Sequence, residues 1–249
     1  NFNSQSSYIA KVGHSMGAMY GYIYEGTYKL DDFNKSGNSY TLKSNVPYYT
    51  SEANTQPGMP KYRDLNDDGV INTNDCTFIG NGLPTHTGGF TNNFNYRDFD
   101  FSFFFQWSYG NDVLNANRLM FESSWNRTRE LNQFASYADR WTIDNPTSNI
   151  PRATSSSSNR VFSSRIIEDG SFLRLKTLTL GYTVPRKAIS RVGIDQLRIY
   201  FAAQNLFTIS NYSGYDPEVS IRESALTPGL DFSAYPRARS FSFGINLGF

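Results

Sequence analysis

Apolar and small polar residues alternate along five segments, and the connections between those segments are alternately short and long. Aromatic residues make up 16% of the chain, although its mean hydropathy is only −0.50. These observations predict an all-β fold: the C-terminal portion of an antiparallel transmembrane β-barrel, with about five strands and long extracellular loops. Five strands cannot close a barrel, and an open sheet edge in lipid leaves backbone groups unpaired. The remainder of the barrel is therefore expected from residues or a chain not present here.

Residues 1–89 are read as an extracellular loop region. Within them, 36–58 is rich in Ser, Asn, Tyr and Pro without a clear period and is assigned no fold. The run DLNDDGVINTND, Asp64 to Asp75, is more specific. An EF-hand loop asks for oxygen ligands at positions 1, 3, 5, 7 (a backbone carbonyl), 9 and 12, with Gly at 6 and an apolar residue at 8. Asp64, Asn66, Asp68, Val70, Asn72 and Asp75 fill the ligand places, and Gly69 and Ile71 the other two. Asp75 stands where the pattern has glutamate, which weakens the site. Pro57, Gly58 and Pro60 forbid a regular entering helix, so a lone, structural Ca2+ loop of the dockerin kind is expected. Asp, Asn and Gly also make turns, so an ordinary polar loop is the alternative.

Residues 90–96 and 99–107 form the first predicted hairpin. Phe90, Asn92, Phe94 and Tyr96 share one face, as do Phe99, Phe101, Phe103, Phe105 and Trp107, and only Phe104 breaks the alternation. Tyr96 and Phe99 flank a two-residue turn, Arg97-Asp98, so the register agrees. The long loop 108–170 follows; Leu131, Phe134, Ala138 and Trp141 recur at helical spacing and predict a helix over 129–141. TSSSSN at 154–159 reads as a mobile tip.

The strand 171–183 changes its apolar parity between Leu175 and Leu178, which a β-bulge near Lys176 explains. Leu197, Ile199, Phe201 and Ala203 mark the strand 197–207, and the loop 208–238 leads to the last strand, 239–249. There Phe241, Phe243, Ile245, Leu247 and Phe249 alternate with Ser240, Ser242, Gly244, Asn246 and Gly248. An alternating aromatic strand of this kind is an outer-membrane assembly signal. Trp107, Tyr109, Trp125, Tyr212 and Tyr215 fall at strand ends or in outer loops, as interfacial or ligand-stacking aromatics.

Other functions are excluded or left without support. A net charge of +1 with no basic run argues against nucleic acid. No window is apolar enough for a transmembrane helix. The single cysteine, Cys76, forms no internal disulfide, and with only His14 and His86 no zinc set can be assembled. Neither histidine accompanies a nucleophile motif, and both read as ordinary loop residues, so no enzyme is expected.

The runs KYRDLNDDGVINTNDCTFIGN, FQWSYGND, RWTIDNPTSNIPR, EDGSFLRLKTLTLGYTVP, LRIYFAAQNLFTISNYSGYDPEV and YPRARSFSFGINLGF occur in this order. Together they resemble the C-terminal part of the SusC/RagA-type TonB-linked outer-membrane proteins of Bacteroidetes. The resemblance covers roughly residues 12–249. It implies a cell outer-membrane nutrient importer for oligosaccharides or peptides, working with a SusD-like lipoprotein. It also implies coupling to TonB through N-terminal parts, a TonB box and a plug, that are not visible in this sequence. The competing expectation is a calcium-stabilised binding or adhesion module without transport activity.

Overall fold

The computed structural model describes residues 7–123, 131–154, 161–222 and 224–249. They fall into two compact units, each assembled from three stretches of chain. The sheet unit comprises Pro84–Asn111, Asp169–Glu218 and Tyr235–Phe249; the second unit comprises Asn1–Leu83, Asp112–Glu168 and Val219–Ala234.

Five long strands form the sheet unit: β1 (His86–Tyr96), β2 (Phe99–Tyr109), β3 (Phe172–Val184), β4 (Gln196–Ser210) and β5 (Ser240–Gly248). They are hydrogen-bonded in sequence order, each antiparallel to the next. Arg97 takes φ 53° in the turn that closes the Tyr96–Phe99 pair. A positive φ at the first central position matches the turn to the twist of the flanking strands. The connections at 97–98 and 185–195 lie at one end of the sheet, and the longer ones at the other.

The register carries the alternation across the sheet. Phe94, Phe101, Leu180, Phe201 and Phe243 stand in one row, and Tyr96, Phe99, Tyr182, Ile199 and Ile245 in the next. Asn95, Asp100, Gly181, Tyr200 and Gly244 form a row on the opposite face. A sheet with period-two strands in consistent register must divide in this way. Phe104 lies on the polar face, where its ring covers Gly89.

The parity change in β3 is a bulge. Phe104 pairs with Thr177 and Phe105 with Leu175, which leaves Lys176 over. β4 carries its own extra residue at the same level, where Asn205 takes φ 52°.

The second unit is built from short strands. Ala18–Gly21 lies between Tyr8–Ile9 and Thr77–Asn81, and Asp112–Asn115 lies between Ile167–Asp169 and Leu230–Asp231. Met19, Leu114, Leu119, Ile166 and Leu230 pack together as one buried cluster, Tyr22, Tyr62 and Ile71 as another, and Tyr28, Phe33 and Leu42 as a third. Phe33–Ser36 and Ser39–Leu42 form a hairpin around Gly37, at φ 60°, in a stretch that the sequence left without a fold.

The helix expected over 129–141 is not formed in the part that is described. Residues 129–130 lie outside the described residues, and the only helical turn in 131–141 is the five-residue 3-10 segment Ala135–Asp139. The N–H of Phe134 bonds to Phe121 O and that of Trp141 to Ile150 O, so tertiary partners take donors that a helix needs. The segment 154–159 falls outside the described residues except for Thr154.

Candidate functional site

Three features of these units carry chemistry: the apolar face of the sheet, the charged groups on its other face, and the Asp64–Asp75 loop. On the apolar face, Phe94, Leu180, Ile199, Phe243, Ile245 and Leu247 all remain exposed, Phe243 at 82%. Phe241 and Phe249 are exposed as well, with Phe249 just beyond the last ladder residue. An apolar surface of this extent marks a contact with another protein or with lipid. Along β4 the apolar positions from Leu197 to Ile209 span about 41 Å at about 3.4 Å per residue. Tilted by about 40°, they cover about 31 Å, enough to span the apolar band of about 25 Å of an outer-membrane barrel.

The predicted aromatics separate. Trp107 Nε1 donates to His86 Nδ1 at 3.3 Å, and the His86 ring stacks on Tyr109 at 5.1 Å. His86 is therefore part of an aromatic cluster at one end of β1 and β2, not an isolated loop residue as its sequence context suggests. His14 stacks in the same manner on Phe78, at 3.8 Å. Tyr215 is exposed, whereas Tyr212 is buried, its ring folded back against Gly214, so it offers no surface to a ligand or interface. Trp125 lies outside the described residues.

The polar face carries groups that sequence reasoning did not single out. Arg198 holds Asp100 through two nitrogens, Nε at 3.0 Å and Nη2 at 2.6 Å. Near the other end of β3, the buried Arg174 binds Asp216, Glu218 Oε2 (3.0 Å) and Thr208 Oγ1 (3.0 Å), pinning the segment after β4. Lys176, the bulged residue, donates to Gln106. Burial alone raises the Asp216 carboxyl. The N–H groups of Glu218 and Arg237 and the Arg174 guanidinium outweigh it and hold the carboxyl below the usual carboxylate range.

In the Asp64–Asp75 loop, Asp64 Oδ2 accepts from Gly69 N at 2.7 Å, Asn66 Oδ1 from Asp68 N at 3.1 Å and Asp68 Oδ1 from Val70 N at 2.8 Å. Asp75, fully buried, accepts from Leu65 N and Asn72 N, at 2.9 and 2.8 Å. Asp67 and Gly69 take φ 58° and 82°, which fold the loop tightly. Among the described residues no three His, Cys, Asp or Glu side chains form a group at metal-binding distance. The loop instead offers a mixed set of carboxylate, amide and carbonyl oxygens, the donor chemistry of calcium. Each bonded carboxylate oxygen keeps a second lone pair. Asp64 Oδ1 is buried without any hydrogen-bond partner, an acceptor that a cation would satisfy. The donor set fits the ion.

No protein-family profile matches the chain. It is 32% identical to TonB-dependent receptor P3 of Formosa agariphila, over 100% of this chain and 24% of that protein. It is 38% identical to TonB-dependent receptor P26 of the same organism, over 77% of this chain and 20% of that one. With TonB-dependent receptor SusC of Bacteroides thetaiotaomicron it shares 30% identity, over 80% of this chain and 18% of SusC. The chain thus spans about a quarter or less of the length of these relatives. A solved structure of the RagAB peptide transporter matches its whole fold, with a TM-score of 0.72 at 22% identity, over 24% of that chain. By its identity to P3 over its whole length and to SusC over 80% of it, this chain belongs to the SusC/RagA-type TonB-dependent receptors.

Proposed function

We propose that the chain is part of an outer-membrane nutrient importer, corresponding to the C-terminal part of its relatives. In this reading the sheet is a section of the barrel wall, its apolar face turned to lipid and its polar face to the lumen. The observation that carries it is the apolar row Phe94, Phe101, Leu180, Phe201 and Phe243, in which Phe94, Leu180 and Phe243 are exposed, backed by a face of Asp100, Gly181, Tyr200 and Gly244. β1 and β5 each have one free edge, and the rest of the barrel pairs with both. In this reading the connections 112–168 and 219–234, which join strands at the ends opposite the 97–98 turn, are extracellular loops.

The importer takes up an oligosaccharide or a peptide together with a SusD-like surface lipoprotein, and it is energised by TonB through parts outside this chain. Calcium in the Asp64–Asp75 loop has a structural role: Asp64, Asn66, Asp68, the Val70 carbonyl, Asn72 and Asp75 hold it, and it neutralises their mutual repulsion. A calcium-stabilised adhesion module accounts for the loop but not for an apolar sheet face of membrane height.

The test is deletion of the gene for the whole receptor, followed by growth on single nutrients and affinity purification of the tagged protein from outer membranes. Loss of growth on one nutrient class, with a lipoprotein co-purifying, is the expected result. Growth unchanged on every nutrient, or recovery of the protein in a soluble fraction, would overturn the reading.

A further inference from the structure

The run RWTIDNPTSNIPR begins and ends on arginine. Trp141 N donates to Ile150 O at 2.8 Å, so the run folds back on itself. Both arginines, Arg140 and Arg152, line one cavity of about 430 Å³ within the second unit. Asn38 and Tyr40 reach it from the hairpin around Gly37, and Gln56 and Pro57 from the loop that follows.

The protein's own contacts fix this wall. Arg152 N donates to Gly58 O at 2.8 Å, and its Nη1 to Pro57 O at 3.2 Å. Arg140 Nη1 donates to Tyr137 O at 3.3 Å, with its guanidinium 5.3 Å from the centre of the Tyr137 ring. The Trp141 ring lies against Gly58, where a Cβ would overlap it.

Donors dominate the lining. It holds two guanidinium groups and, among the described residues, no carboxylate. Arg140 is half-buried and forms no ion pair among the described residues. The side-chain amides of Asn38 and Gln56 have no hydrogen-bond partner among them. Trp141 is 6% exposed, and its Nε1 has no partner either. A guanidinium drawn partly out of water without a counter-charge favours an anion, which its planar fork holds through two parallel hydrogen bonds. Pro57 and the exposed Ile143 add an apolar side. The volume falls within the range for small organic ligands, about 300–1,000 Å³, and is more than a bare inorganic ion fills.

We propose that this cavity binds a small organic oxyanion, with its phosphate or carboxylate group on Arg140 and Arg152 and its apolar body against Pro57 and Ile143. An ionised oxyanion only accepts hydrogen bonds, and the guanidinium and amide N–H groups supply them. A neutral ligand of the same size leaves the Arg140 charge unanswered, and a cation is repelled by it. The site lies within one unit and needs no calcium. It stands whether or not the chain works as an importer.

The experiment is calorimetric titration of the whole detergent-solubilised receptor with phenyl phosphate, benzoate, inorganic phosphate, phenol and benzylamine. Phenyl phosphate or benzoate should bind at least tenfold tighter than the other three, and the tighter of the two names the oxyanion. Arg140→Gln should weaken that binding at least tenfold. Asn38→Asp, at an exposed position in a hairpin turn, sets a like charge at the rim and should weaken it about tenfold with thermal melting unchanged. No binding of either organic anion, equal binding of inorganic phosphate, phenol or benzylamine, or unchanged affinity in both variants would overturn the proposal.

Discussion

Arg198 on β4 reaches Asp100 on β2 across the intervening strand, and it does so over Gly181. A Cβ at that position would meet Asp100 Oδ1 at 2.3 Å and Arg198 Nη2 at 2.5 Å. The glycine is the space the ion pair occupies, and a two-strand crossing results that no neighbouring-strand contact could give. Gly181→Val should expel the pair and overpack the site, costing about 1–3 kcal/mol. Arg198→Ala should cost less, about 0–1 kcal/mol, because the two side chains are 25% and 35% exposed and water screens them. Heat-modifiable gel migration of the two variants checks the order; a larger loss for Arg198→Ala would contradict it.

The segment after β4 should respond to acid. Asp216 has a depressed pKa in the folded protein, so its contribution is full above the unfolded value of about 3.9 and is lost as pH falls through the lower folded value. Protection from hydrogen exchange at residues 211–218, relative to the intrinsic rate at each pH, should therefore be independent of Asp216 titration between about pH 5 and 8 and should fall below about pH 4. Asp216→Asn should loosen the same segment at neutral pH by about 1.5–3 kcal/mol, the worth of a hydrogen bond to a charged group. Equal exchange in variant and wild type at pH 7 would remove Arg174–Asp216 as the pin.

Calcium removal should act locally. Chelation leaves the like charges of Asp64, Asp68 and Asp75 facing one another, while the five-strand ladder does not depend on the ion. Proteolysis within 55–85 should quicken, with the sheet's heat resistance little changed, and Asp68→Ala should mimic the chelator. The effect should extend to Tyr48, whose N–H bonds to Gly69 O at 3.3 Å. Identical cutting patterns with and without calcium, in metal-free protein, would make the run an ordinary polar loop.

Membrane insertion should depend on the exposed row. Phe243→Lys places a charge at mid-sheet and should cost about 2–4 kcal/mol at the bilayer midplane. Deletion of Phe249 should lower surface abundance without lowering synthesis. Surface labelling of both variants is the measurement, and normal levels of Phe243→Lys would refute a lipid-facing sheet.

The sheet was readable because its strands pair with their sequence neighbours, so period and turn spacing already contain the register. Even the bulge at Lys176 is written as a parity change between Leu175 and Leu178. The Asp64–Asp75 loop is equally local, its hydrogen bonds closing within one short run. The second unit is different: Tyr24 Oη bonds to Asn149 O, 125 residues away, and Lys29 Nζ to Thr147 O, 118 away. No local pattern records such contacts, and at 129–141 they override a helical spacing. The hairpin at Gly37 did have a signal, Ser-Gly-Asn between Phe33 and Tyr40, which passed as loop composition. The burial of Tyr212 follows from Gly214 and is invisible until the ring's position is known.

Because every strand of the five-stranded sheet is hydrogen-bonded through its backbone only to its chain neighbours, the lengths of the connections are free of the ladder. Doubling a loop adds only about 0.6 kcal/mol of closure entropy, and an insertion within 112–168 or 219–234 shifts no rung of β1 to β5. The constraint on those segments lies in their own unit instead, where Leu114, Ile166 and Leu230 pack with Met19.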